Sequence, residues 1–438
     1  MAPPQPIAPA PAPALLLLPA PPTPCTRLAL HSSYHAPLGA VLDALCAAPS
    51  PRRRPVLLVV AVAAPILARR RQPAASVVRW RAAQSLLAGV YSLLAALCAE
   101  RSIDTDMGAA TPRSVDARVV LVDHARGRTY QPRCADDGRP HTWTGTPVLD
   151  LAGFATAVTG PWDTIYHPSS EAGYELLRAY LTLAEGRQVI RQRQIVSVPG
   201  GISVSPSAGA PDEADEADKS YETVILGGTF DHLHPGHKLL LHGTVLLLRL
   251  PAAGTTTPPG TLIIGVSGDP MLQSKKFASE LESWDTRCRS VLSFLATTLN
   301  VTPPSAGDPH SAPNTGSYRV EHVAAGLSGG PEMHGVYADG AVRVRCTVLN
   351  DAFGPTVDER PIGAICVSGE TRGGGRAVND KREAKGWHAL DVYEVDVLDT
   401  RGMTDGDGPG DDDFAAKISS TAIRQQRAEA KAKTKAQI

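Results

Sequence analysis

The chain has 438 residues, enough for two or three domains that each bury a core. Its 43 Lys plus Arg nearly balance 44 Asp plus Glu, which excludes a global field favouring nucleic acid or an anionic membrane. Seven cysteines (Cys25, Cys46, Cys98, Cys134, Cys288, Cys346, Cys366) include no Cys-x-x-Cys pair, which argues against a zinc knot or a disulfide framework and suits a reducing, cytoplasmic setting.

In chain order, residues 1–24 are rich in Ala and Pro and read as a disordered segment. Upstream of Glu100 the only acidic residue is Asp43, a bias shared with organelle-targeting peptides, but this density of proline works against an amphipathic targeting helix. Residues 25–200 have the texture of a folded α/β unit, with strands at 56–62 and 118–122 and helices within 74–99 and at 170–184. The apolar runs 56–67 and 86–99 fall short of the roughly 20 residues needed to cross a bilayer, so no membrane span is expected. Residues 201–220 form an acidic linker carrying Asp212, Glu213, Asp215, Glu216 and Asp218, with little to bury.

A second unit, residues 221–428, alternates strands (223–226, 262–266, 342–349, 364–367 and near 392–398) with helices (238–250 and 284–299). Such alternation predicts a parallel sheet covered on both faces. The expected fold class is therefore α/β, a Rossmann-like domain preceded by a smaller α/β domain. Residues 303–317, 326–335 and 402–413 read as surface insertions, and 429–438 as a tail.

The most informative segment runs Gly227-Gly228-Thr229-Phe230-Asp231-His232-Leu233-His234-Pro235-Gly236-His237-Lys238. An apolar strand precedes it and an apolar helix follows. A glycine turn before a helix start admits close backbone approach and offers free N–H groups to a phosphate. His234 and His237, three apart, share a face of the first helical turn. One histidine alone is usually a packed or surface residue. Two after a glycine turn favour phosphate contact, while only Asp231 stands near enough in sequence to help them ligate zinc, so no metal ligands are expected.

Gly-Gly-Thr-Phe-Asp followed by His-x-Gly-His resembles the nucleotidylyltransferase superfamily. Lys417-Ile418-Ser419-Ser420-Thr421-Ala422-Ile423-Arg424 resembles its Ile-Ser-Ser-Thr block at a second helix start. Two more blocks, Gly265-Val266-Ser267-Gly268-Asp269 through Ser274-Lys275-Lys276 and Val367-Ser368-Gly369-Glu370-Thr371-Arg372, narrow the resemblance to phosphopantetheine adenylyltransferase of the eukaryotic and archaeal type. The similarity covers about residues 221–426. The dipeptide Gly-Lys occurs nowhere, so no Walker A motif accompanies it, and a monofunctional, fungal-like form is expected.

The resemblance implies adenylyl transfer from ATP to 4′-phosphopantetheine with Mg²⁺, giving dephospho-coenzyme A and pyrophosphate. It casts His237, Lys275 and His234 as catalytic, and Thr229 and Lys275 as holders of the acceptor phosphate, with Lys276 as a substitute. Nucleotide contacts fall to Gly228, Thr229, Phe230, His234, His237, Arg372, Asn379, Arg382, Ser419, Ser420, Thr421 and Arg424. Simpler readings stand beside these: Ser419-Ser420-Thr421 as a helix N-cap, Lys275-Lys276 as a solvated pair, the glycines after Arg372 as a loose loop. Alternatives are another nucleotidylyltransferase, acting with CTP or on nicotinamide mononucleotide, and a scaffold for other enzymes of coenzyme A synthesis, which are the candidate protein partners. An independent catalytic unit would keep its turnover after removal of residues 1–218.

Overall fold

The computed structural model describes residues 12–47, 55–69, 76–108, 111, 113–130, 145–157, 161–201, 218–251, 258–300, 318–327, 329–398 and 419–436. The first unit runs β1 (Ala14–Leu18), α1 (Arg27–Ala47), β2 (Val56–Ala64), β3 (Leu67–Arg69), β4 (Ser76–Val78), α2 (Trp80–Glu100), β5 (Val115–Asp123), β6 (Leu149–Asp150), α3 (Leu151–Ala157), β7 (Ile165–Pro168), α4 (Glu171–Ala184) and β8 (Ile195–Val198). Six of its strands form a sheet in the order β6-β5-β2-β1-β7-β8, every pair parallel. β3 and β4 make a separate antiparallel ribbon.

Within the described part of residues 1–24, from residue 12 on, β1 corrects the expectation of disorder. Ala14-Leu15-Leu16-Leu17-Leu18 sits between β2 and β7 with no residue more than 1% exposed. A wholly apolar run suits a parallel strand buried on both faces. Pro13 and Pro19 stand just outside it, where a missing ladder donor costs nothing.

The second unit runs β9 (Thr223–Gly228), α5 (Pro235–Val245), β10 (Gly260–Ser267), α6 (Trp284–Asn300), β11 (Arg319–Val323), β12 (Glu332–Tyr337), β13 (Val342–Leu349), β14 (Ala364–Val367), α7 (Arg372–Ala384), β15 (Asp391–Glu394) and α8 (Ser420–Ala436). Its sheet has the order β11-β12-β13-β10-β9-β14-β15, parallel except for the antiparallel β11–β12–β13 edge. The mixed α/β class with parallel sheets is as the sequence predicts. β12 begins inside the expected insertion 326–335 and runs past its end, and α8 carries helix through most of the expected tail. The expected insertions 303–317 and 402–413 and most of the acidic linker lie outside the described residues.

The two units share one core. Leu58, Leu87, Leu94 and Val119 of the first belong to the same buried cluster as Val224, Leu241, Val245 and Leu295 of the second. α5 explains why. Every residue from Lys238 to Val245 is buried, so this helix has no solvent face. A helix apolar all round must be enclosed all round. α2 is long and apolar enough by length and composition to cross a membrane, but 78% of its most apolar stretch is buried inside this shared core.

Candidate active site

In a doubly wound sheet, ligands sit at the carboxyl ends of the strands where the chain reverses direction across the sheet. Here the chain steps from β9 outward to β10 and β13, then crosses back to β14 and β15, so the reversal lies between β9 and β14. β9 ends at Gly228 and β14 at Val367. The glycine–histidine segment and the Ser368–Thr371 turn are thus neighbours, although about 140 residues part them in sequence.

The turn after β9 is a constrained one. Phe230 and His232 both have positive φ (52° and 48°), a conformation that costs a non-glycine residue energy. A Cβ on Gly228 would stand 3.0 Å from the Phe230 ring, so a larger residue there would press on its own turn and require the ring to shift. Arg287, fully buried, braces the turn from behind: Nη1 donates to Thr229 O (2.8 Å) and Ser267 O (2.9 Å), and Nε to Glu282 O (3.1 Å). Buried Asp231 accepts from Glu282 N (2.9 Å) and Arg424 Nη1 (2.6 Å), and its carbonyl accepts from Ser420 Oγ (2.8 Å).

His234 is the N-cap of α5 and Pro235 its first residue. The His234 and His237 rings stack with centroids 3.9 Å apart, and Phe230 lies 5.4 Å from His237. Both rings are half-buried, but both Nδ1 atoms are enclosed and unpartnered. Burial pushes the pKa of His237 down to about 3 and that of His234 well below its ordinary value, helped by the neighbouring imidazole. The pair is therefore neutral at pH 7, beside a helix start whose first N–H groups lack partners within the helix.

Around the pair the structure sorts the remaining sequence candidates. Ser420 and Thr421 open α8 against the turn, and Ser419 Oγ caps it by accepting from Ala422 N (3.3 Å). Lys275 and Lys276 are exposed on the loop after β10, and Lys276 O accepts from Arg424 Nε (3.0 Å). Arg372 is exposed at the start of α7 and pairs with Glu394 through two contacts of 2.6 Å.

Three expected nucleotide contacts are engaged within the fold. Arg424 is 2% exposed and its guanidinium is committed to Asp231, Lys276 O and Thr421 Oγ1. Arg382 is fully buried and donates to four carbonyls, those of His388, Thr356, Glu359 and Arg360. Asn379 clamps Leu390 through both its amide N–H and its carbonyl. Asn379 and Arg382 lie seven and ten residues past Arg372, roughly 10 and 15 Å down a helix that leaves the site. All three are braces.

Residues of the first unit reach the same turn, which sequence reasoning missed. Lys238, directly after His237, is 1% exposed, and its Nζ donates to Asp116 Oδ1 (2.6 Å) and Ala117 O (3.0 Å) on β5. Arg118 bonds the other Asp116 oxygen (2.7 Å) and reaches Ser293 O and Thr297 Oγ1 on α6, 2.7 Å each. Burial alone would raise the Asp116 pKa, but Arg118 and Lys238 together bring it down to about 2. A lone lysine inside Leu-Leu-Leu-rich helix sequence was the available signal.

At the other end of the turn, His232 Nε2 donates to Glu280 O (2.8 Å), while Nδ1 faces Asp106 Oδ2 at 3.4 Å and Glu282 Oε1 at 3.7 Å. Burial disfavours its charge, but Asp106, Asp231 and Glu282 outweigh that and raise its pKa. Asp106, His232 and Glu282 are close enough to share one cation. Arg427 already bonds Asp106 Oδ2, which places one cationic side chain against the cluster.

Residues 1–204 match a family model described as a domain of unknown function, DUF8446. The phosphopantetheine adenylyltransferase of Saccharomyces cerevisiae is 30% identical over 205 residues, covering 47% of this chain and 48% of that protein. An uncharacterized protein of Schizosaccharomyces pombe is 29% identical over 226 residues, 51% of this chain and 54% of its own. The phosphopantetheine adenylyltransferase of Pyrococcus horikoshii is 24% identical over 206 residues, 47% of this chain and 90% of that protein. The chain thus spans about half the length of the two fungal relatives. A crystal structure of a protein of unknown function from Archaeoglobus fulgidus aligns at 20% identity with a TM-score of 0.25, over 40% of this chain and 89% of that one. Distant relatives' names point to a nucleotidyltransferase.

Proposed function

We propose that this chain is a pantetheine-phosphate adenylyltransferase, joining AMP from ATP to 4′-phosphopantetheine and releasing pyrophosphate. One juxtaposition carries the reading. The neutral, stacked His234–His237 pair at the start of α5 lies where the sheet reverses, with the start of α8 bonded to the same turn. The names of the yeast and archaeal relatives support it.

An oxygen of the acceptor's phosphate attacks the α-phosphorus of ATP, a P–O bond forms, and the bond to the pyrophosphate oxygen breaks. A phosphate monoester has its second pKa near 6, so the nucleophile is mostly dianionic at pH 7 and needs no general base. What the protein must supply is alignment and charge stabilisation. Thr229 and Lys275 hold the attacking phosphate, with Lys276 beside them. His234 contacts the nucleotide phosphates, and His237 donates to the α-phosphate as its charge builds. Gly228 and Phe230 shape the turn, and Arg372 approaches the nucleotide by exchanging Glu394 for it.

At α8, the Ser420 hydroxyl already donates to Asp231 O, so its backbone N–H is the group left for an outer phosphate. Thr421 accepts from Arg424 and keeps its own hydroxyl proton to donate. Asp231 is committed to Arg424 and Glu282 N, so Mg²⁺ would be held by ATP oxygens and waters, neutralising charge there.

Purified full-length protein is expected to release pyrophosphate from ATP only when 4′-phosphopantetheine is present. Release with CTP, or with nicotinamide mononucleotide as the acceptor, would replace this reading by one of the other transferases.

A further inference from the structure

Two acidic residues of the first unit bracket the imidazole pair. Asp106 meets His232, two residues before His234, and Asp116 meets Lys238, one residue after His237. We propose that the domain matched by residues 1–204 is the positioning half of the active site. In this proposal Asp116 sets the rotation and height of α5 through Lys238, and Asp106 holds the preceding turn through His232. The proposal rests on the reading of His234 and His237 as phosphate contacts.

The geometry of α5 carries the argument. This helix lies between the two sheets, so its orientation toward β9 and β14 depends on what holds its other side. That side is held by polar pins as well as by packing. Lys238 Nζ bonds Asp116 and Ala117 O, and Trp80 Nε1 of α2 donates to Gly243 O at 2.8 Å. Apolar side chains slide past one another at little cost, whereas a buried ion pair tolerates one geometry and resists any other. A lysine and an aspartate taken out of water at this place are weak evidence for stability and better evidence for a fixed arrangement.

Lys238 is the first residue whose N–H closes a bond within α5, to His234 O at 3.0 Å. Its side chain and its backbone therefore connect β5 of the first unit directly to the histidine turn. At the other end, Asp106 is shared by His232, Arg427 of α8 and Gly108 N. One residue of the first unit thus ties the β9 turn to the helix that carries Ser420 and Thr421. Misplacement of a reacting group by about 1 Å costs up to roughly 100-fold in rate, so fixing these two elements is a catalytic demand.

The test uses the full-length chain with two variants. Lys238→Met removes the pin from α5 and leaves Asp116 paired with Arg118, so no buried ion is orphaned. Asp106→Asn keeps the bond to Gly108 N and weakens both the His232 and the Arg427 contacts. At a temperature where circular dichroism shows each variant folded, kcat is expected to fall at least about tenfold, with KM for ATP and 4′-phosphopantetheine within about threefold of wild type. The ring nitrogen signals of His234 and His237, followed by NMR with labelled histidine, are expected to shift in the absence of any substrate. Unchanged kcat and unchanged ring signals alongside a lowered melting temperature would overturn the proposal and leave only a stabilising role. If the wild-type chain transfers no adenylyl group, the function reading fails, and the ring signals alone decide the positioning claim.

Discussion

His237 is a neutral ring waiting beside a helix start, and its pKa near 3 states how costly a charge is there before substrate arrives. A phosphate placed against it changes that balance, since an adjacent anion favours the protonated or strongly donating form. Replacing His237 by Ala is expected to lower kcat by about 10²–10³ with KM for ATP nearly unchanged, the signature of a contact made mainly in the transition state. Steady-state kinetics on the variant reads both quantities.

His242 carries a pH prediction. Burial pushes its pKa to about 4, opposed by a hydrogen bond to Val119. Above about pH 6.5 both folded and unfolded rings are neutral and the fold keeps its full stability. As pH falls from there toward 4, the unfolded chain takes up a proton that the folded chain refuses, so stability drops by up to about 1.4 kcal/mol per pH unit for this ring. His237 and His234 act in the same direction. His232 acts oppositely: its raised pKa adds stability below 6.5 that is lost as pH rises through the folded value. In thermal melts from pH 7 to 4.5, His242→Gln is expected to flatten the acid-side loss seen in the wild type. An unchanged slope would place the titrating group elsewhere.

At the scale of elements, the histidine turn was legible because strand, glycines and helix start are consecutive and their chemistry is local. Where α7 points was not. Arg372, Asn379 and Arg382 share one segment, but only the folded helix reveals that the last two travel away from the site. Arg382→Ala orphans four carbonyl partners around a fully buried position, so it is expected to cost at least about 3 kcal/mol while leaving KM for ATP unchanged in the protein that remains folded. Denaturant melts and kinetics together check this. A raised KM without lost stability would return Arg382 to the nucleotide. β1 escaped notice for a different reason: its flanking prolines mimic an unpacked segment, while its partners β2 and β7 lie about 40 and 150 residues away.

Across the whole molecule, the polar linker suggested two independent units, and the shared core corrects that. Contacts of α5 with β5 and with α2 are between segments more than 100 residues apart, and no local pattern announces them beyond the all-round apolar character of α5. A chain beginning at Lys219 would expose Leu241, Val245 and the unpaired ammonium of Lys238, all of which are buried in the intact protein. It is expected to aggregate or to lose turnover, measured by size exclusion and pyrophosphate release. A monodisperse, fully active fragment would show that the second unit stands alone.

Where the triphosphate binds decides the assignment, and a crystal structure of the protein with a non-hydrolysable ATP analogue and Mg²⁺ tests it directly. The phosphates are predicted within hydrogen-bond distance of the His234 and His237 rings and of the first turns of α5 and α8. Phosphates bound away from both rings, or nucleotide seated at the first unit's own sheet instead, would contradict it.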